Sequence, residues 1–393
     1  MKSLLALVAL ACVANAFPTT GDQAPFTVDY KHPGFDWDLS AQRLVQIQGQ
    51  PPVWMSELEK IQAKARGIKF FDITDTPDLG TLPRVKANGS ANHHGYNAST
   101  QVFPAPAFPS PNATEKVEPI LKKLSTDGPR KNLQHFTGFR TRHYRSDTGK
   151  QSQAWLKKTI TEASSLQGFL LTQSHTAADN ITRINGTSTT DDGIVIIGAH
   201  QDSTNMWPFL PAPGADGYDG SGTVTILESY RALLAADFHP ERSIEFHWYS
   251  AEEGGLLGSQ AVAQAYEGRV NVLAMSQFDM TAWVKSGTRE EVGIITDFVD
   301  PALTEFNKKL VDMYLDIPWV ETACGYACSD HASWGKAGYP SCFTIESAFG
   351  NSNKNIHSMN DRIDISPEFS FDHMLEFSKL AVAFAVELGG ISD

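Results

Sequence analysis

"GIVIIGAH" spans residues 193–200. Its β-branched, apolar run is too short for a typical helix and reads as a buried strand. Working outward, the pattern recurs: "SIEFHWYSA" (243–251), "NVLAMSQFD" (271–279) and "SCFTIE" (341–346) predict further strands. Apolar spacing predicts helices over 151–167, from Val224 through Leu234, and over 258–266, 302–314 and 367–388, the last closed by Gly389-Gly390. Strands alternating with helices predict an α/β fold: a mostly parallel or mixed central sheet with helices on both faces.

The front third differs. "MKSLLALVALACVANA" carries one Lys, an apolar run and an Ala14-Asn15-Ala16 ending, which predicts a signal peptide over 1–16. No later run offers the ~18 apolar residues of a membrane span. The expectation is a secreted, extracellular chain with no membrane partner. A net charge of −13 leaves no basic patch for nucleic acid. Residues 17–88 show a helical stretch from Met55 to Ala65 but no clear strand series, and read as a small accessory domain or a removable pro-segment. Residues 89–114, rich in Pro, Ser and Asn, read as a linker, and 115–393 as the catalytic domain.

Export gives the N-x-Ser/Thr triplets at Asn88, Asn97, Asn112, Asn180 and Asn185 meaning as glycosylation candidates. It also favours a local disulfide between Cys324 and Cys328, against the other reading, a Cys/His zinc site with His331. Cys342, in an apolar run, reads as a buried small hydrophobe.

Chemistry collects after the strands. His200 ends the first, Asp216 and Asp219 lie in "GADGYDGSG" (214–222), Glu252 and Glu253 follow the second, and Asp279 follows the third. In a parallel sheet these ends open on one edge, where ligands bind. Singly, His200 reads as a strand end, Asp219 as a helix cap and Glu252-Glu253 as a solvated turn. Jointly, imidazole with several carboxylates suits zinc or a similar metal. The loop has neither the G-x-G-x-x-G spacing nor a Gly-Lys-Ser/Thr ending, so it is no phosphate cradle. H-E-x-x-H and G-x-S-x-G motifs are absent as well.

"GAHQDS", "PGAD…DGSG", "SAEEGGLLGS", "QFDM", "GYACSDHASWGKAGYP" and "NIHSMND", in this order, resemble the secreted leucine aminopeptidases of fungi and the bacterial two-zinc leucyl aminopeptidases. "FFDITDTPDLG" resembles the fungal pro-segment, which decides for that reading of 17–88. The resemblance implies an extracellular exopeptidase with two zinc ions, acting on peptides with a free N-terminus, covered by its own pro-segment before maturation and acting as a monomer. It makes Asp216 the bridging ligand, pairs His200 with Asp279 on one zinc and Glu253 with His357 on the other, and gives Glu252 the role of general base for a hydroxide shared by the metals. Tyr326 would help polarise the carbonyl. Met280, Phe343, Ile345, Phe349 and Ile356 would wall a pocket for Leu and similar side chains, ordinary core being the alternative.

One departure stands out. The family carries two or three consecutive acids after "PGA", whereas Gly217 and Tyr218 here separate Asp216 from Asp219. The supporting acid is then displaced to Asp219 or missing, and Asp202 is a helper or a turn residue. The rival readings are a single-zinc enzyme like glutaminyl cyclase and a non-catalytic secreted binding protein with a relic site.

Overall fold

A computed structural model describes residues 26–81, 108–165, 179–190, 192–217 and 219–391. The signal-peptide reading, Asn88, Asn97, Tyr218 and most of the linker stretch lie outside these residues.

The central sheet has seven strands: β4 (Asn180–Ile184), β5 (Ile194–His200), β6 (Ile244–Tyr249), β7 (Val272–Phe278), β8 (Val292–Ile295), β9 (Trp319–Thr322) and β10 (Ser341–Ile345). Across the sheet they run β4-β6-β5-β7-β10-β8-β9. β5 pairs in parallel with β6 and β7, and β7 with β10, while β4 and β8 run antiparallel to β6 and β10. The sheet is therefore mixed, with a parallel centre.

Successive residues of β5 feed opposite cores, as the two-residue period of a strand requires. Val195, Ile197 and Ala199 join the larger apolar cluster, and Ile196 joins the smaller one. The larger side is covered by α5 (Gly220–Ala235) and α9 (Phe371–Gly389), with α2 (Thr114–Leu121), α4 (Asp147–Ser165) and α7 (Pro301–Tyr314) also against this core. α3 (Asp127–Phe136) packs on α5. The smaller side is covered by α6 (Leu257–Tyr266) and α8 (His331–Lys336). Each large apolar side chain so buried contributes about 1.5–3 kcal/mol relative to exposure. Among the described residues no helix is long and apolar enough to cross a membrane.

A second unit precedes this body: β1 (Gln42–Ile47), β2 (Val53–Ser56), α1 (Glu57–Ala65) and β3 (Phe70–Asp72), with the strands in antiparallel order β2-β1-β3. The predicted helix starts two residues later than its pattern, because Met55 belongs to β2 and Ser56 caps. Ser56 Oγ accepts from the Glu59 amide (3.2 Å), and Glu59 Oε2 accepts from the Ser56 amide (2.7 Å). Beneath the helix lies a buried ion cluster in which Asp72 accepts from Arg43 (2.7 Å) and Lys60 (2.8 Å), with Glu57 3.0 Å from Lys60. The unit docks through main chain: the Asp72 amide donates to the Gly255 carbonyl (3.1 Å), and Gln260 donates to the Asp72 carbonyl (3.0 Å). Only glycine suits position 255, with φ at 105° and the Asp72 nitrogen 2.6 Å from where a Cβ would sit.

Cys324 and Cys328 form a disulfide, and Cys342 is buried and free. Of the described glycosylation candidates, Asn112 and Asn185 are exposed. Asn180 is corrected: it lies buried at the start of β4, donating to Gln201 Oε1 (3.0 Å), so its amide does not present itself to solvent.

Candidate metal centre

Because β5, β6 and β7 run parallel, His200, Glu252-Glu253 and Asp279 arrive together at one sheet edge. His200 Nε2 lies 3.7 Å from Asp279 Oδ1, and His357 Nε2 lies 3.4 Å from Glu253 Oε2. Two groups of ligand atoms lie within 4.8 Å of one another: those of His200, Asp219 and Asp279, and those of His200, Glu252 and Glu253. His357 comes from the loop after β10, which no strand ending would have flagged.

Asp202 is a helper. Its Oδ1 faces His200 Nδ1 at 3.3 Å and accepts from the Glu252 amide (3.0 Å), while Oδ2 accepts from the Glu253 amide (3.2 Å). The same carboxylate thus orients the imidazole and sets the turn that presents both glutamates. Burial opposes a charge on His200, but the facing Asp279 and Asp202 outweigh it and hold the imidazole pKa well above its ordinary value.

The lengthened loop changes which aspartate faces the cluster. Asp219, in left-handed backbone (φ 48°), accepts the His200 amide on Oδ2 (2.7 Å) and leaves Oδ1 buried without a hydrogen-bond partner. It makes no side-chain cap to α5. Glycine at 222 makes the room, since a Cβ there would meet Oδ1 at 1.8 Å. Asp216 has both oxygens engaged: Oδ1 by the Ser221 hydroxyl (2.8 Å) and the Ala282 amide (3.1 Å), Oδ2 by the Asn353 amide group (3.2 Å). Asp219, rather than Asp216, thus presents an unpartnered carboxylate oxygen to His200 and Asp279.

Asp216 sits instead in a buried acid group. Its own amide donates to Asp361 (3.1 Å), and Asn353, which bonds Asp216, donates its amide to Glu346 (2.7 Å). Burial, then Asp216, pushes Glu346 well above the carboxylate range and Asp361 up to about 8. Buried Arg142 ties the two loops together by donating to the carbonyls of Gln201 (2.9 Å) and Gly214 (2.9 Å). Ser329 donates to Asp279 Oδ2 (2.7 Å). Arg142, Ser329, Glu346 and Asp361 escaped sequence reasoning.

The residues fit a divalent cation. Imidazole nitrogens and carboxylate oxygens make a donor set of the zinc type, and Asp219 offers an oxygen that no protein donor satisfies. Burial, chiefly, pushes Asp279 up to about 6 and Glu252 and Asp219 well above the usual range, with like charges adding to the effect. A bound cation relieves that crowding.

Tyr326 sits inside the disulfide ring, its phenol raised by burial and then by Glu252 and Glu253. The five apolar residues expected to wall a pocket gather in one cluster: Met280, Phe343 and Ile345 at its centre, Phe349 and Ile356 packed against them, with the disulfide sulfurs alongside. Met280 directly follows Asp279 in sequence. A separate cavity of about 730 Å³ opens between β3 and the catalytic body, bounded by Phe70, Phe298 and Tyr326.

The N-terminal unit reaches the centre itself. Lys64, in the last turn of α1, bonds Glu253 Oε2 and donates to the Glu253 carbonyl (2.5 Å). Lys69 lies 4.8 Å from the Tyr326 ring centroid. In sequence both lysines look like an ordinary solvated helix face and turn.

Comparison with known proteins agrees with this architecture. The model of peptidase family M28 matches residues 179–381. Leucine aminopeptidase 1 of Pyrenophora tritici-repentis is 46% identical over 362 residues, 88% of each chain, and that of Trichoderma harzianum is 44% identical over 96% of this chain and 94% of its own. Among solved structures, the LapA aminopeptidase of Legionella pneumophila is 27% identical with a TM-score of 0.70, covering 90% of this chain and 99% of its own. A Porphyromonas gingivalis glutaminyl cyclase, 17% identical with a TM-score of 0.51 over 67% of this chain and 98% of its own, shares the fold alone. With the strand-end histidine and acids converging as described, and with a family match across the sheet that carries them, the chain belongs to peptidase family M28.

Proposed function

We propose that the chain is a zinc-dependent aminopeptidase that releases N-terminal Leu and similar apolar residues from peptides, with two zinc ions per chain, and that it is secreted under cover of its own N-terminal unit. The observation that carries this reading is the double pairing, His200 with Asp279 and Glu253 with His357, with Glu252 grouped beside His200 and Glu253. In this reading Asp219 would hold metal through Oδ1, the oxygen that no donor satisfies, and Asp202 orients His200. When bound, zinc supplies Lewis acidity that polarises a peptide carbonyl and makes water a nucleophile near neutral pH.

The residues of the chain do the rest. Glu252, half-buried and proton-seeking, accepts the proton of the attacking water and returns one to the leaving amine. The Tyr326 hydroxyl donates to the developing oxyanion. The centre would also hold the free α-amino group of the peptide, which selects its end. The Met280–Phe343–Ile345 cluster takes the side chain, and because a methylene is worth only about 1–3 kcal/mol in such a pocket, preference for Leu is graded rather than absolute.

Elemental analysis of the processed chain should give two zinc ions, and Leu-p-nitroanilide release should stop with chelator and return with zinc. One zinc with glutaminyl cyclisation, or no zinc and no release, would overturn the reading.

A further inference from the structure

The contact between Lys64 and Glu253 joins a cation of the N-terminal unit to a carboxylate of the metal centre. Glu253 Oε2, the oxygen bonded by Lys64, also faces His357 Nε2 at 3.4 Å. The Glu253 side chain is only 6% exposed, so this is no solvated surface pair. We propose that Lys64 is a cationic stopper: its ammonium holds the place on Glu253 that a metal ion needs, so that the docked N-terminal unit and the metal compete for one carboxylate. The inference rests on the aminopeptidase reading and adds to it how the site is kept silent.

Three features make the stopper specific. Lys64 is delivered by a helix whose other end is capped and whose buried face is locked by the Arg43–Asp72–Lys60 ion cluster. That cluster reaches the catalytic body through Tyr144, whose hydroxyl donates to Glu57 (3.3 Å). β3 then clamps the Gly255 end of the turn that carries Glu252 and Glu253. The charges are complementary too, since Lys64 and Lys69 approach a wall of Asp202, Glu252 and Glu253. Competition of this kind is reciprocal: as tightly as the docked unit opposes metal, metal opposes docking. Zinc therefore loosens the unit, and scarcity of zinc keeps it closed.

The test uses the full-length chain as wild type, Lys64→Met, which keeps the aliphatic stem, and Lys64→Arg, which keeps the charge. Zinc affinity is read by competition with a chromophoric chelator. The Met variant is expected to bind its weaker zinc about tenfold or more tightly than wild type, because the competent state is no longer depleted, with the Arg variant close to wild type. Equal affinity in all three would overturn the stopper while leaving the aminopeptidase reading intact. Absence of zinc from all three would overturn both.

Discussion

Glu252→Gln is expected to lower turnover of Leu-p-nitroanilide by about 10²–10⁴-fold, the range for a positioned general base, with both zinc ions retained. Gln matches Glu in volume, and the Glu252 main-chain amide, not its side chain, makes the recorded bond to Asp202 (3.0 Å). The turn should therefore survive. What disappears is a carboxylate that burial, chiefly, and then Glu253 keep eager for protons. Substrate affinity should change little, so the loss should appear in kcat rather than KM. Zinc loss in this variant would make Glu252 a ligand and leave the base unassigned.

Asp219→Asn should cost more in metal than Asp216→Asn. Asn at 219 keeps an oxygen for the His200 amide, which Asp219 accepts at 2.7 Å, but gives up the anionic oxygen that stands unpartnered beside His200 and Asp279. Zinc affinity is then expected to fall by more than the roughly 10–100-fold that losing an outer partner costs. Asp216→Asn removes charge from a carboxylate already held by Ser221, Ala282 and Asn353, and should stay within that range. Zinc retention during dialysis against graded chelator buffers separates the two. The opposite ranking would return the bridging role to Asp216.

The parallel centre was legible because β5, β6 and β7 are covered on both faces and so print as continuous apolar runs. The edges were not. "NITRI" and "WVET" of β4 and β9 are short and mixed in polarity, as edge strands commonly are. The N-terminal strands hid for another reason: Arg43 of β1 and Asp72 of β3 are buried by pairing with each other and with Glu57 and Lys60 of α1, and buried charge looks like surface in a linear pattern. At the site, His200, Glu252, Glu253 and Asp279 followed from strand endings, and His357 from resemblance. The approach of Asp219 to His200 and Asp279 did not follow, because an added residue moves a side chain by rotating backbone, and only the left-handed conformation at Asp219 shows where it went. Lys64 carries no local signal at all, for its meaning lies in a partner 189 positions away.

Asp202 has a consequence of another order. With one oxygen shared between the His200 ring and the Glu252 amide and the other on the Glu253 amide, this carboxylate is the common hinge pin of two crossovers that are 50 residues apart in the chain. Energetically, His200, Glu252 and Glu253 are then coupled through one carboxylate. Losses from substituting any two of them should overlap instead of multiplying, because each substitution disturbs the one carboxylate that the others share.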